Sequence, residues 1–226
     1  MTSAVYQTPV TLSPSRISNF RTCPLQFRFA SIEKLPQPPQ IHLVKGNFVH
    51  RVLELLLGHE PEHRTVEAAR KAFDETRAEY EPSARFTALG LSPDASEAFF
   101  KDSRELVNGY YRMENPRNAK IIGLELRIDS DFGKFKLGGI IDRLEYNEKN
   151  ELVVSDYKTG KVPDARFGAN KMDNMHIYAS LCLRERGELP KRLRLMYLKS
   201  STPIEVEVTP DSNAACEAAA IETFDQ

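Results

Sequence analysis

Two short apolar runs in the middle of the chain each end in a carboxylate. Gly139-Ile140-Ile141-Asp142-Arg143 closes with an aspartate, and Val153-Val154-Ser155-Asp156-Tyr157-Lys158-Thr159-Gly160 closes with Asp-Tyr-Lys. Both runs are short, rich in Ile and Val and bounded by turn residues, so both read as strands. Asn147-Glu148-Lys149-Asn150 between them is a polar cluster of hairpin size. Antiparallel pairing would bring Asp142 and Asp156 together at one end of a sheet. Alternate strand side chains share a face, so Asp156 and Lys158 point one way and Tyr157 the other. Two carboxylates and an ammonium suit a hard divalent cation beside an electrophile or a base. Mg²⁺ in particular prefers few carboxylates, several waters and the phosphate oxygens of a substrate.

The pattern apolar-apolar-Asp, hairpin, apolar-apolar-x-Asp-x-Lys resembles the core of the PD-(D/E)xK nucleases. Gly-Ile-Ile-Asp-Arg with Asp-Tyr-Lys-Thr-Gly resembles the RecB-type branch, which includes the nuclease domains of RecB and AddB and the CRISPR adaptation exonucleases. The resemblance implies that Asp142, Asp156 and the backbone carbonyl of Tyr157 hold Mg²⁺ or Mn²⁺, with Lys158 acting at the scissile phosphate. It extends to Gly-x-x-x-His-x-x-Leu-Glu, here Gly46 to Glu54, where it implies that His50 is a metal ligand; on residue type alone, a histidine in so apolar a helix is simply packed in place. Ser-x-Ser-Arg-Ile-Ser-x-Phe-x-x-Cys-Pro-x-x-Phe resembles the family's opening helix, which implies that Arg16 and Arg21 meet DNA phosphates. A solvated helix face is the plainer reading of Arg16, Arg21 and Arg28. Glu125 reads as a solvated strand residue, and the resemblance makes it a support of the metal site. Tyr178 and Asn174 stand where the family has Gln-x-x-x-Tyr and are implied to position the strand; Asn174 replaces the glutamine with a shorter amide.

Composition narrows the classes. At 226 residues one domain is the default, and 41% hydrophobic with 28% charged residues is ordinary for a globular protein. A formal net charge of −1 means that any nucleic-acid footprint is local rather than global. Met1 to Pro14 lacks the basic start and apolar core of a signal peptide, and no apolar run reaches membrane-spanning length. Cys23, Cys182 and Cys216 are widely spaced and odd in number, which points to a reducing, cytoplasmic setting.

These residues must be held by elements that the periodicity predicts. Ser13-Pro14 starts a helix that Pro24 interrupts, with Leu25 to Leu35 as a second piece. Phe48 to Leu57 is a strongly apolar helix stopped by Gly58. Thr65 to Tyr80 and Ala95 to Met113 are two more helices, joined by a loop over Pro82 to Pro93. Lys120 to Ile128 is a half-buried strand with Ile122, Leu124, Leu126 and Ile128 on one face and Glu125 and Arg127 on the other. Phe135 to Tyr146 follows, then Val153 to Lys158, a basic loop over Lys161 to Lys171 with Arg166, and a helix from about Asn170 to Arg186. Arg192 to Lys199 and Ile204 to Val208 are strands, and Asp211 to Phe224 is the last helix. The order predicts an α+β fold, a mixed sheet flanked by helices. It is the order that a restriction-endonuclease-like core implies, in a single domain over residues 1–226 with a helical insertion at about 59–119.

Other chemistries fail on their own residues. Thr159-Gly160-Lys161 is no phosphate-binding loop: Ser155 stands where its first glycine belongs and Val162 where its Ser or Thr belongs. There is no Gly-x-Ser-x-Gly elbow or His-Glu-x-x-His. The expected activity is metal-dependent hydrolysis of DNA by a nuclease, an exonuclease by resemblance, in repair, recombination or defence, with helicase or repair and CRISPR-type proteins as partners and no membrane. The rival is a DNA-binding structural subunit without catalysis, or an interaction module; retention of Asp142, Asp156 and Lys158 favours the enzyme. Some RecB-type relatives bind an iron–sulfur cluster with a cysteine placed like Cys23 and three near the C-terminus. Such a cluster needs four thiolates and this chain has three cysteines, so none is expected and Cys23 is expected as a buried thiol. The chain stops about where the relatives' cysteine-rich segment begins, which leaves open a truncated C-terminus.

Overall fold

The computed structural model describes residues 9–163 and 165–226, and residues 165–171 by their backbone alone. In chain order the elements are β1 (Thr11–Leu12), α1 (Pro14–Thr22), α2 (Pro24–Phe27), a π-helical turn at Arg28–Ile32, α3 (Ile41–Leu57), α4 (Val66–Tyr80), α5 (Ala84–Thr87) and α6 (Pro93–Met113). There follow β2 (Lys120–Asp131), β3 (Lys136–Tyr146), β4 (Leu152–Lys158), α7 (Ala165–Arg186), β5 (Arg192–Tyr197), β6 (Thr202–Glu207) and α8 (Pro210–Asp225). Local chemistry sets the starts of many helices. Ser13, Thr65, Ser83, Ser92 and Thr209 each accept the amide hydrogen of the third residue onward, satisfying a donor that the helix cannot. Thr209 and Ser212 do so reciprocally.

β3 organises the sheet. It pairs antiparallel with β2 along most of its length; its start lies parallel to β1 and its end antiparallel to β4. β4 pairs parallel with β5, and β5 antiparallel with β6. The result is one mixed six-stranded sheet. α1, α7 and α8 bury Ile17, Met175, Ile177, Leu181 and Ala220 against one face, with Leu137, Leu144, Val154 and Leu195. α3 to α6 bury Phe48, Leu53, Phe73, Phe99, Phe100 and Tyr110 against the other, with Tyr157, Met196 and Leu198. Each such side chain taken fully out of water contributes about 1.5–3 kcal/mol. Gly109 allows α6 its close approach: a β-carbon there would lie 1.9 Å from the Leu198 carbonyl oxygen.

The α+β order, the hairpin at Asn147–Asn150 and the break at Pro24 are present as the sequence predicts. Five details differ. The loop expected over Pro82 to Pro93 holds the short helix α5, started by the Ser83 cap. The two-residue β1 is too short to leave a periodic signal. α7 begins at Ala165, so the segment read as a basic loop up to Lys171 is largely helical, while the side chains of Arg166 and Lys171 lie outside the described residues. α3 begins seven residues before Phe48, at Ile41. Finally, Ile122, Leu124, Leu126 and Ile128 do not share a face. Ile121 and Leu124 pack with the α3–α6 side, Leu126 and Ile128 with the α7 side, and Ile122 is exposed. The register shifts between Ile121 and Gly123, and Glu125 adopts φ +43°, so the two-residue alternation is broken.

Candidate metal centre and active site

The site forms where two strands part. β3 and β4 pair from Tyr146↔Leu152 to Arg143↔Ser155 and no further. β4 continues beside β5, which leaves the Tyr157 amide and carbonyl on the β3 side without strand partners. Side chains take them instead. The Tyr157 N–H donates to Asp142 Oδ2 at 2.8 Å, and the Tyr157 oxygen lies 3.0 Å from His50 Nε2. α3 delivers His50 across the sheet face with its ring edge-on to Tyr157, 5.8 Å between centroids. On its other side His50 Nδ1 lies 3.5 Å from Asp142 Oδ2 and 3.6 Å from Glu125 Oε1.

His50, Glu125 and Asp142 each offer a ligand atom, and these atoms lie within 4.8 Å of one another. Glu125 reaches this cluster from the one residue of β2 with a left-handed backbone. Such a conformation costs a non-glycine residue roughly 1–3 kcal/mol and persists only where its surroundings enforce it. Asp156 is near enough for its charge to act on Asp142, and it is ion-paired with Lys158. Tyr178 of α7 closes over this end of β3, and only a glycine at 139 leaves it room: a β-carbon there would sit 2.7 Å from the Tyr178 ring.

Charge crowding marks the site. Burial and the Asp156 carboxylate push the Asp142 carboxyl up to about 7. For His50, burial works to lower the pKa, but the Glu125 hydrogen bond and the Asp142 and Asp156 charges overcome it and raise it to about 9. Burial likewise opposes the charge of Lys158, and Asp156 reverses it, holding the ammonium above its ordinary value. The metal-free cluster thus keeps protons to offset its carboxylates. A hard divalent cation is offered the Glu125 and Asp142 carboxylates and the His50 imidazole in place of those protons. This donor set fits such an ion.

Asp142, Asp156, Lys158, His50, Glu125, the Tyr157 carbonyl and Tyr178 are therefore brought together, and Asn174 lies one turn before Tyr178 on α7. Arg16 and Arg21 are engaged elsewhere. Arg16 donates to the Thr11 carbonyl, and Arg21 to Thr223 Oγ1 and the Ala219 carbonyl, where it ties α1 to α8. Cys23 is half-buried rather than buried, because it is the extended residue between α1 and α2.

Arg143 is the functional neighbour that sequence reasoning missed. It follows Asp142, points to the opposite face and is 0% exposed. Its guanidinium pairs with Glu114 at the end of α6 and with Glu145 at 2.8 Å, and donates to Tyr110 Oη at 3.1 Å. Ser155 donates to Glu145 at 3.1 Å, and Arg194 lies 3.3 Å from the same carboxylate. An arginine inside an apolar strand, with glutamate two residues on, was the available signal.

Comparison with known proteins agrees with this geometry. Residues 11–226 match the family described as the PD-(D/E)XK nuclease superfamily. None of the curated proteins compared with the chain matches it. Among solved structures, a "putative exonuclease" from Eubacterium rectale superposes with a TM-score of 0.62 at 10% identity, over 95% of this chain and 79% of that one. A protein called SSO0001 is 16% identical over 96% of this chain and 77% of its own, at a TM-score of 0.45. The first likeness establishes the restriction-endonuclease-like fold, an α+β mixed sheet flanked by helices.

Proposed function

The chain belongs to the PD-(D/E)XK nuclease superfamily, and from that premise we propose that it is a Mg²⁺- or Mn²⁺-dependent deoxyribonuclease, an exonuclease of the RecB-type branch. The observation that carries the reading is the convergence of His50, Glu125 and Asp142 beside the Asp156–Lys158 pair, at the point where β3 and β4 part. Asp142, Asp156, Glu125, His50 and the Tyr157 carbonyl would hold the ion. When bound, it acidifies water and offsets charge on phosphoryl oxygens.

The chain's own residues do the rest. Lys158 stays protonated beside Asp156, so it acts as a donor, meeting negative charge that develops on the phosphate and orienting the attacking water. Asp156 fixes the ammonium in place. Asp142 holds the Tyr157 amide, which fixes the end of β4 and with it Lys158, the next residue. Tyr178 of α7 closes over Gly139, and it and Asn174, one turn before it, would position the strand. The same reading puts the protein in DNA repair, recombination or defence in the cytoplasm, beside a helicase or CRISPR-type partner. No described helix is long and apolar enough to cross a membrane.

The test is cleavage of end-labelled single- and double-stranded DNA with Mg²⁺, Mn²⁺ or EDTA, by the wild type and Lys158→Ala prepared identically. Metal-dependent release of nucleotides from an end, lost in the variant by at least about 10²-fold, is the expected result. Equal turnover by both proteins would remove Lys158 from the reaction. No cleavage by folded, metal-loaded wild type would favour a DNA-binding subunit.

A further inference from the structure

A chain with a net charge of −1 that handles nucleic acid needs a local basic surface. The opening helix supplies little of one, since Arg16 and Arg21 are committed to backbone and side-chain partners and Arg28 to Glu33. A groove of about 420 Å³ between α4 and α6 supplies it instead. Its lining includes Arg70, Arg104 and Arg112 and contains no aspartate or glutamate. Arg70, Arg104 and Arg112 are exposed, and among the described residues none of the three is in an ion pair. The Arg104 guanidinium carbon lies over the Phe73 ring, 4.7 Å from its centroid, a cation–π contact that leaves its N–H donors for a ligand. Arg112 gives only Nε, to Ser201 Oγ at 2.9 Å. Arg104, Asn108 and Arg112 are four residues apart, so they form a line along α6 with a step of about 6 Å.

The position of the groove connects it to the candidate active site. Ser201 lies in the turn after β5, and β5 runs parallel to β4 with Tyr197 beside Lys158. Leu198, whose amide donates to the Lys158 carbonyl at 2.9 Å, is also the residue that Gly109 of α6 packs upon. The Arg112 end of the groove thus opens at the end of the sheet that carries Lys158.

We propose that the α4–α6 groove is a second binding site for the sugar–phosphate backbone of the substrate strand, gripping it away from the scissile bond. The identity of the ligand rests on the nuclease reading. The groove binds phosphate through Arg70, Arg104 and Arg112, with Asn108 and Tyr111 alongside, and reads no base. It therefore adds length-dependent affinity without adding to the chemical step.

The experiment compares wild type, Arg70→Gln, and Arg70→Gln/Arg104→Gln, each checked for an unchanged melting curve. Binding of a labelled trinucleotide and of a long single-stranded oligonucleotide is measured in EDTA across a salt series. The long strand should bind the double variant more weakly, with a log K against log salt slope shallower by about 1.4, or about 0.7 for each phosphate that an arginine no longer neutralises. Arg70→Gln, which removes one of the two charges, should give about half that change. The trinucleotide should not distinguish the proteins, and with Mg²⁺ the double variant should raise KM on the long strand at unchanged kcat. Equal affinity and equal slope for the long strand overturn the proposal, as does a wild type that binds no nucleic acid. The two readings fail separately: a wild type that binds the long strand through this groove but cleaves nothing refutes the nuclease reading and leaves the groove standing.

Discussion

Asp142 Oδ2 accepts the amide hydrogen of Tyr157 at 2.8 Å, just past the last paired residues of β3 and β4. One carboxylate thereby does two things: it finishes the strand ladder that the backbone abandons, and it faces His50 and Glu125 as a candidate ligand. The adjacent His50–Tyr157 contact takes the carbonyl of the same residue. A fold that ends a strand pair in this way places its candidate metal ligands among groups that it needs for its own hydrogen bonding.

Asp142→Asn separates these duties. The amide oxygen can still accept from Tyr157, but the charge is gone. Burial and Asp156 already disfavour that charge, so the metal-free variant should melt no lower than wild type near neutral pH. Mn²⁺ affinity should fall by more than about tenfold, and cleavage with it. Calorimetric titration showing wild-type Mn²⁺ affinity would exclude Asp142 as a ligand.

Metal-free stability should fall as pH rises. His50 binds its proton more tightly in the fold than at its ordinary value of 6.5, so its contribution is complete below about pH 6.5 and is lost as pH climbs through about 9. Asp142, raised from 3.8 to about 7, pulls the same way at lower pH, because the folded state keeps a proton that the unfolded chain releases. Melting in EDTA should therefore drop steadily toward pH 9, and His50→Ala should flatten the upper limb. Mn²⁺ competes with these protons and should raise the melting temperature more at high pH than at low. A flat EDTA profile above pH 6.5 would refute the assignment.

The parts of the site that read clearly in the sequence are those that obey strand alternation. Asp156, Tyr157 and Lys158 point as a regular strand requires, and the polar tetrapeptide before them makes the hairpin. Glu125 is ambiguous in the sequence because the alternation fails at that residue: its left-handed backbone turns Leu124 and Leu126 to opposite faces, which no two-residue pattern encodes. Arg143 is illegible for another reason. Its value lies in Glu114, which is distant in sequence and meets it only when α6 packs on the sheet face, and in Arg194 of the same sheet, which shares that carboxylate. Local patterns locate strands and turns; long-range ion pairing has no period.

Two glycines test close packing. Gly139→Ala puts a β-carbon 2.7 Å from the Tyr178 ring, which must swing away from the candidate site. The fold should survive, while turnover falls by up to about 10²-fold, as for a misplacement of about 1 Å. Gly109→Ala meets a carbonyl at 1.9 Å instead. Backbone cannot swing aside, so this variant should lose stability by more than about 1–3 kcal/mol, read by urea denaturation. A Gly109→Ala protein as stable as wild type would mean that α6 does not lie on Leu198 as described.

The buried Arg143 cluster makes the last prediction. Arg143→Ala leaves Glu145 buried without its cation, and removal of one partner of a buried pair typically costs about 3–5 kcal/mol. Arg194 lies 3.3 Å from Glu145 and retains part of the compensation, so the loss should sit at the low end. Arg143→Met with Glu145→Gln removes both charges and fills the arginine's volume, so it should recover most of the lost stability. Activity should not recover in step. Arg143, the residue after Asp142, is held by bonds to Tyr110 of α6, to Glu114 and to Glu145 of β3, and methionine packs without direction. The double variant should therefore combine near-wild-type melting with reduced Mn²⁺ affinity. Should affinity return along with stability, the cluster merely holds the sheet to α6; if neither returns, volume and charge alone do not describe it.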